Sequence, residues 1–185
     1  MLYLTADLHL GHANIIKLCG RPFSDVGQMD RALIAAINDR VSATDELWVL
    51  GDLTARAKVS KVREWRQRIA CRHVHLIHGN HDVHMSEGER AGIFEHDLGY
   101  FDQLRSPDGR RMVMCHYPIL DWNGQYRGSY MLHGHVHSKP EANVRNREAG
   151  VLRYDVGVDA NGYAPVSIEK IEAFFDGVEP AHLHH

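Results

Sequence analysis

The stretch ELWVLGD, residues 46–52, is a short apolar run that ends on a glycine and a carboxylate. LYLTAD at residues 2–7 precedes it and HVHLIHGNHD at residues 73–82 follows it, and both have the same form. Short apolar runs bounded by glycine or polar residues are typical of buried β-strands. These three stretches therefore predict the strands of a βαβ pattern.

Helical patterns fill the intervals between these strands. Residues 24–41 begin at a capping residue, Ser24 or Asp25, and then place apolar side chains at helical spacing. Residues 58–70 form a charged amphipathic pattern, and a shorter helix is predicted around residues 13–18. Alternating strands and helices indicate the α/β class, with sheet inside and helices outside.

The second half of the chain is richer in predicted strands. Residues 101–119 contain two apolar runs joined by a Pro-Asp-Gly turn, and residues 129–135 and 151–158 add two more strands. A final helix is predicted near residues 168–175. The combined pattern predicts an α/β sandwich.

Composition limits the classes of protein to consider. A chain of 185 residues with 44% apolar and 24% charged residues is long enough for one domain and short for two. We predict a single domain over residues 1–180, with residues 181–185 as a disordered tail. The net charge of -3 gives no general argument for a nucleic acid or a membrane as partner.

The cysteines and the amino terminus bear on the cellular compartment. Cys19, Cys71 and Cys115 are odd in number and lack a CxxC spacing, so they indicate neither a disulfide framework nor a thiolate zinc site. The first residues lack the positive segment of a signal peptide, and Asp7 interrupts their apolar run. We therefore expect a reducing compartment and a cytoplasmic protein.

Residues suited to metal binding lie where the predicted strands end. Each falls at or just beyond the last apolar residue of a strand, and the set is Asp7, His9, Asp52, Asn80, His81, His116, His135 and His137. Open α/β sheets place their sites at this edge. Carboxylates, imidazoles and one amide oxygen together suit Mn, Fe, Co, Ni or Zn better than Mg or Ca. The donors are too numerous for one tetrahedral ion, which favours two ions sharing a carboxylate.

The stretch YMLHGHVHSKP, residues 130–140, places three histidines within five positions. Residues two apart on a strand lie on one side, roughly 6.5 to 7 Å apart, while paired ions lie about 3.5 to 4 Å apart. His135 and His137 could therefore each reach a different ion. Gly134 lets the backbone pass close to the ions, and Val136 is expected to face away toward apolar packing.

These blocks resemble those of the calcineurin-like metallophosphoesterases. The family pattern D-x-H, G-D, G-N-H-D/E, a lone H and G-H-x-H matches, in order, DLH at Asp7, GD at Gly51, GNHD at Gly79, His116 and GHVH at Gly134. The segments GHANIIKLCGRPF and DVGVDANGYAPVSIEKI are also similar to a small bacterial and phage-type branch of the family. The resemblance implies a sandwich of two mixed β-sheets packed face to face and flanked by helices.

The resemblance also implies a role for each candidate residue. Two divalent transition-metal ions are expected, with manganese as the first choice and Fe, Zn, Ni or Co as alternatives. The first ion takes Asp7, His9 and His137, the second takes Asn80, His116 and His135, and Asp52 bridges them. His81 would stand beside the phosphate and protonate or steer the leaving group. The implied reaction is hydrolysis of a phosphate ester by in-line attack of a metal-bridging hydroxide.

The second block departs from the protein phosphatases of this superfamily, which read G-D-x-x-D-R where this chain reads GDLTAR. Ala55 replaces the acid that orients the catalytic histidine, which argues against a protein phosphatase. Arg56 could contact phosphate or begin a solvated helix. His12, just past the first block, could contact substrate or cap a helix. Asp82 follows His81, but the sequence does not show that the two side chains meet.

The predicted function is therefore that of a metal-dependent phosphoesterase, with a phosphodiesterase acting on small or nucleotide-derived diesters as the first choice. A phosphomonoesterase remains an alternative. A non-catalytic protein-interaction scaffold of the same fold is another, although the presence of His81 and all seven ligands argues against it. A nuclease would need a larger basic surface or an accessory domain. The expected partner is a small phosphate ester, without a membrane or an obligate nucleic acid, and the oligomeric state stays open.

Overall fold

Nine strands run through the part of the chain that the computed structural model describes, which is residues 1–181 apart from the side chain of Val83. In chain order the strands are β1 (Leu2–Thr5), β2 (Glu46–Leu50), β3 (His73–Ile77), β4 (His96–Asp97), β5 (Phe101–Arg105), β6 (Arg111–Cys115), β7 (Tyr130–His133), β8 (Arg153–Asp155) and β9 (Val166–Ser167). They form one sheet of order β4-β3-β2-β1-β9 and a second of order β5-β6-β7-β8. Both sheets are mixed, because β9 and β5 run antiparallel to their neighbours.

Helices connect the parallel strands and cover the sheets. They are α1 (Ala13–Cys19), α2 (Val26–Arg40), α3 (Val59–Arg68), α4 (Glu87–Ala91), α5 (Pro140–Glu148) and α6 (Ile168–Phe174), with 3₁₀ turns at Asp82–His84, Gln125–Arg127 and Val158–Ala160. The Asp25 carboxylate caps α2 by accepting a 2.8 Å hydrogen bond from the Gln28 amide. The predicted helices over residues 13–18, 24–41, 58–70 and 168–175 are confirmed within a few residues at each end.

The central strand β2 is buried on both faces, which explains its continuous apolar sequence. Leu47 and Val49 pack with α1, α2 and α3 in one core. Trp48 and Leu50 point to the other face, into a second core between the two sheets. Alternate side chains of a strand leave on opposite faces, so a parallel strand between two layers needs apolar residues at every position. The two-core arrangement confirms the predicted sandwich with helices outside.

The strand ends converge at one edge of the sandwich. Beyond β1 and β2 the two loops stay paired, since the Asp7 amide donates to the Gly51 carbonyl at 3.0 Å and the His9 amide to the Asp52 carbonyl at 3.0 Å. In the second sheet, the Gly134 amide donates to the His116 carbonyl at 3.0 Å. The His135 amide donates to Asp7 Oδ2 at 2.8 Å between the two sheets, so the loops that follow four separate strands meet at the same edge.

The helix α5 was not predicted from the sequence. Its residues, PEANVRNRE, show no apolar periodicity, and Asn143 is the one buried side chain in it. That side chain donates to the Asp155 carbonyl at 3.1 Å and accepts from the Asp155 amide at 2.8 Å. The helix is therefore held by the two hydrogen bonds of Asn143 rather than by an apolar stripe. An apolar stripe is the feature by which a helix is recognised in a sequence.

Two further expectations concern the ends of the chain and membranes. None of the helices in residues 1–181 combines the length and apolar character that a bilayer crossing needs. The predicted tail includes residues 182–185, which lie outside the described residues. The single-domain prediction over residues 1–180 stays a prediction.

Candidate metal centre

The candidate ligands lie on backbone of unusual conformation. Among the described residues, seven non-glycine positions have a positive φ, and five of them are Asp7, His9, Asp52, His135 and His137. Aspartate and histidine enter the left-handed region more readily than most residues, but the conformation still costs on the order of 1 kcal/mol each. Such strain persists where the surrounding structure holds it and is concentrated at functional sites. The loops are therefore shaped to present these side chains.

One cluster joins Asp7, His9 and His137. Their ligand atoms all lie within 4.8 Å of one another. Asp7 is fully buried and His9 is 2% exposed. Both ring nitrogens of His9 are buried and, in the described chain, have no hydrogen-bond partner. Buried polar atoms are normally satisfied, so an unpaired imidazole beside a carboxylate fits the ligand set of a metal ion.

Asp7 also belongs to a second cluster. Asp7, Asp52 and His116 also have ligand atoms within 4.8 Å of one another. The Asn80 Oδ1 lies 3.1 Å from His116 Nε2, and the His135 ring packs against the His116 ring at 5.0 Å between centroids. The structure thus brings all seven candidate ligands together in two adjoining groups.

Asp52 lies between the two clusters. Its Oδ2 is 3.5 Å from His9 Nε2 on one side and 3.4 Å from His116 Nε2 on the other. Its Oδ1 accepts a 2.9 Å hydrogen bond from the His81 amide, which fixes the orientation of the carboxylate. One carboxylate oxygen therefore lies close to an imidazole of each cluster, as expected for a residue predicted to bridge two ions.

The electrostatics favour a cation. Burial raises the pKa of Asp7 to about 7 and lowers the pKa of His9 to about 3. The imidazole of His9 is therefore neutral near pH 7, as a metal ligand must be. A divalent ion among these groups would stabilise the carboxylate form of Asp7. The donor chemistry of the cluster thus fits divalent metal, with His9 and Asp7 as ligands.

His81 and His12 lie at the rim of the clusters. The His81 Nε2 is 4.0 Å from Asp52 Oδ2, and its ring contacts the His9 ring at 5.2 Å between centroids. The His12 ring lies 5.4 Å from that of His9 and 6.3 Å from that of His81. His12 occupies the N-cap position of α1, but its side chain makes no capping hydrogen bond. Of the two alternatives for His12, the geometry favours the one that faces the site.

The carboxylate of Asp82 does not orient His81. It is fully buried and accepts hydrogen bonds from the backbone amides of Gly79, Asp52 and Leu53 at 2.9, 2.6 and 3.2 Å. Asp82 therefore ties the loop after β3 to the loop after β2. Among the described residues, Asp52 is the one carboxylate that forms an ion pair with His81.

Arg56 and Ala55 follow Asp52 in the same loop. Arg56 is exposed and has a left-handed backbone with φ 60. Within residues 1–181, its guanidinium takes part in no ion pair. Contact of Arg56 with substrate phosphate remains a prediction.

The sequence analysis missed a buried pair that supports the first cluster. Asp159 accepts a 2.9 Å hydrogen bond from His137 Nδ1 and bonds of 3.0 and 2.8 Å from Arg21 Nε and Nη2. Arg21 also donates to the carbonyls of Asp7 and Leu8 at 2.7 and 3.1 Å. Both charged side chains are fully buried. One guanidinium therefore holds the left-handed loop of Asp7 and, through Asp159, the ring of His137.

Burial acts to raise the pKa of Asp159, but the hydrogen bonds from His137 and Arg21 hold it below its usual value. The ionised carboxylate fixes the tautomer of His137 and leaves Nε2 free to bind a metal. Arg21 lies in the segment GHANIIKLCGRPF and Asp159 in the segment DVGVDANGYAPVSIEKI, the two stretches noted above for their similarity to the bacterial and phage-type branch. Nothing in the sequence pairs two residues 138 positions apart.

We expect Asp159→Asn to weaken the first ion 10- to 100-fold, the usual cost of losing such a supporting hydrogen bond, and to leave the second ion unchanged. The amide cannot hold His137 in one tautomer as the carboxylate does. Metal titration followed by calorimetry measures this, and Asp39→Asn on the exposed side of α2 is the matched control. Equal weakening of both ions would show that Asp159 supports the fold rather than the first site.

Two details of the histidine-rich stretch differ from expectation. β7 ends at His133, so His135 and His137 lie in the following loop, with φ values of 72 and 47, rather than on a strand. Val136 is 49% exposed, so the expectation that it packs in an apolar environment was wrong. The close approach at Gly134 is confirmed, since a Cβ there would lie 2.6 Å from Asp7 Oδ2.

The chain and its relatives are alike along nearly their whole length. Residues 2–158 match the calcineurin-like phosphoesterase superfamily domain. The uncharacterized protein MJ1445 of Methanocaldococcus jannaschii is 32% identical over 176 residues, covering 92% of this chain and 88% of the relative. The Gene 66 protein of Mycobacterium phage L5 is 26% identical, covering 86% of this chain and 87% of its own. The crystal structure of AQ665 from Aquifex aeolicus, a protein of unknown function, has the same fold, with a TM-score of 0.71 at 22% identity over 94% of this chain and 98% of that one.

Proposed function

The chain belongs to the calcineurin-like phosphoesterase superfamily, and on this basis we propose that it is a phosphodiesterase that uses two divalent transition-metal ions. The observation that carries the proposal is the position of Asp52, whose Oδ2 lies 3.5 Å from His9 Nε2 and 3.4 Å from His116 Nε2. A shared carboxylate oxygen between two imidazole-containing clusters is the arrangement that a pair of ions about 3.5 to 4 Å apart requires.

Each group of residues has one task in this proposal. Asp7, His9 and His137 hold one ion, and Asn80, His116 and His135 hold the other. When bound, the ions neutralise phosphate charge and lower the pKa of water. His81 donates a proton to the departing oxygen from the rim of the site. Arg56 and His12 contact the phosphate or its substituents.

The donor set supports manganese as the first choice of metal, with Fe, Zn, Ni or Co as alternatives, since carboxylate and imidazole together suit these ions. The proposed partner is a small phosphate ester, with nucleotide-derived diesters included. A cytoplasmic location belongs to the same proposal, and the three free cysteines, Cys19, Cys71 and Cys115, support it.

The charge of the site favours a diester over a monoester. A diester carries one negative charge and a monoester nearly two near pH 7. Besides the ions, the cation that we assign to the substrate is Arg56, because the guanidinium of Arg21 is buried against Asp159. A site with few cationic clamps gains little from the second charge of a monoester.

We expect the metal-loaded protein to show higher kcat/KM on an aryl phosphodiester than on the matching monoester. A panel of mono-, di- and 2',3'-cyclic phosphates, assayed with each candidate metal, measures the preference and identifies the substrate class. A consistent preference for monoesters would favour the phosphomonoesterase alternative. No hydrolysis of any ester, with both ions bound, would favour the scaffold alternative.

A further inference from the structure

A cavity of about 360 Å³ lies at the opposite end of the second sheet from the metal clusters, and its lining includes Arg105, Arg110, Arg111 and Arg127. Arg111 begins β6, and His116 directly follows the last residue of that strand. Five residues of antiparallel strand span roughly 17 Å, at about 3.4 Å per residue. The cavity is therefore separate from the candidate metal centre.

The arginines of this cavity lack carboxylate partners in sufficient number. Arg110 pairs with Asp108 at 3.2 Å. Arg105 donates to the Gly109 carbonyl at 2.8 Å and Arg111 to the Gln103 amide oxygen at 2.7 Å, so both bind neutral acceptors. Within residues 1–181, no ion pair joins Arg105, Arg111 or Arg127 to a carboxylate.

The acids nearby are already engaged. Asp108 accepts hydrogen bonds from the Ser106 hydroxyl, the Arg110 amide and the Tyr130 hydroxyl, the last two at 2.9 Å. Glu172 accepts from the Asp108 amide at 3.0 Å. Four arginines against these two acids leave the cavity positive in a chain whose net charge is -3.

Arg105 and Arg111 are also directly opposed across the β5–β6 ladder. Like charges at directly opposite positions of an antiparallel pair destabilise the sheet. Arg105 and Arg111 repel each other, and Arg110 and Arg127 line the same cavity. An anion bound among the four guanidinium groups would offset this repulsion. Guanidinium groups bind phosphate oxygens through two parallel hydrogen bonds, so the cluster suits a phosphate better than a halide.

We propose that this cavity binds a phosphate-type oxyanion carrying more than one negative charge, at a site distinct from the metal centre. The phosphates are either those of a small free anion or those along a nucleic-acid strand. Both offer the same oxygens to the four guanidinium groups.

The test is calorimetric titration of the full chain with inorganic pyrophosphate in a buffer that contains a chelator, so that metal ions do not contribute to binding. We expect saturable binding that Arg105→Gln/Arg111→Gln weakens at least tenfold. The matched control is Arg31→Gln/Arg68→Gln, two exposed arginines on α2 and α3, which removes the same charge and should change binding less than twofold. No binding by the unchanged chain, or an equal loss in the two double variants, would overturn the proposal.

Two further measurements test whether the double variant stays folded and whether charge alone accounts for binding. Without anion, Arg105→Gln/Arg111→Gln should melt at the same temperature as the unchanged chain or higher, because the opposed charges are gone. Arg105→Lys/Arg111→Lys keeps the charge but loses the two-pronged contact, and should weaken pyrophosphate binding less than the glutamine variant does. Equal weakening by the lysine and glutamine variants, with both folded, would assign the binding to the two-pronged guanidinium contact. A lysine or glutamine variant that binds pyrophosphate as tightly as the unchanged chain would overturn the proposal.

A short oligothymidylate distinguishes the two sources of phosphate. Binding that depends on Arg105 and Arg111 for both ligands identifies a nucleic-acid strand as a ligand of the cavity. Binding of pyrophosphate alone identifies a small free anion. Either result supports the oxyanion site and names its source.

Discussion

We expect the replacement of Asp52 by asparagine to reduce the bound metal from about two ions per chain to fewer than one at saturating metal. The reason is the position of Oδ2, which faces His9 Nε2 at 3.5 Å and His116 Nε2 at 3.4 Å. Asparagine keeps an acceptor for the His81 amide but loses the negative charge that both ions would share. The loss of metal affinity should exceed the 10- to 100-fold loss that follows removal of a hydrogen bond to a ligand. Elemental analysis after dialysis gives the stoichiometry.

The comparison with terminal ligands makes this test specific. His137→Ala should remove one ion and leave the other, because His137 faces one cluster. A single ion per unchanged chain at saturation would disprove the paired site. Two ions retained by Asp52→Asn would place the bridge on another residue, and Asp7, which belongs to both clusters, is the candidate.

The variant His81→Ala should keep both ions and lose activity in a way that depends on the leaving group. A proton donor matters most for a basic alkoxide and least for a nitrophenolate, which departs without help. General acid catalysis is worth on the order of 10² to 10⁴. We expect the lower end on alkyl or nucleoside diesters, because Ala55 supplies no orienting acid and Asp82 is engaged with three backbone amides. The loss on a nitrophenyl diester should be distinctly smaller.

Metal content decides how this result is understood. The ligand atoms of His81, His9 and Asp52 also lie within 4.8 Å of one another, so these three residues could hold an ion together. Loss of an ion from His81→Ala would therefore make His81 a ligand rather than an acid. Equal losses on the two leaving groups, with both ions bound, would mean that His81 grips the phosphate.

The positions of the candidate ligands were predictable because they follow from strand ends. The apolar runs before Asp7, Asp52 and Asn80 mark three mutually parallel strands of one sheet, and parallel strands end at a common edge. The spacing of His135 and His137 indicated two different ions, but their left-handed backbone was not visible in the sequence. Local pattern shows which residues lie near the edge and not the torsion angles that aim them.

The supporting residues were not predictable in the same way. Arg21 and Asp159 meet across 138 positions, and their pairing depends on how α1 and the turn Val158–Ala160 are packed. Asp30 lies on α2, where it is buried and accepts a 2.9 Å hydrogen bond from the Gly11 amide. Trp122 packs with Val113 and Met131 in a small separate core. Contacts of this kind form only in the folded chain, and the spacing of apolar residues in the sequence does not predict them.

The buried link between Arg21 and Asp159 has a consequence for biosynthesis. A chain leaving the ribosome releases Arg21 well before Asp159, so the Arg21 guanidinium lacks its buried carboxylate partner until residue 159 has emerged. Contacts between distant positions form late, because the loop between them must close first. The imidazole of His137 therefore gains its fixed orientation only after Asp159 has been synthesised and has met Arg21. We therefore expect a nascent chain that ends before Asp159 to lack the contact that orients His137 in the proposed metal centre.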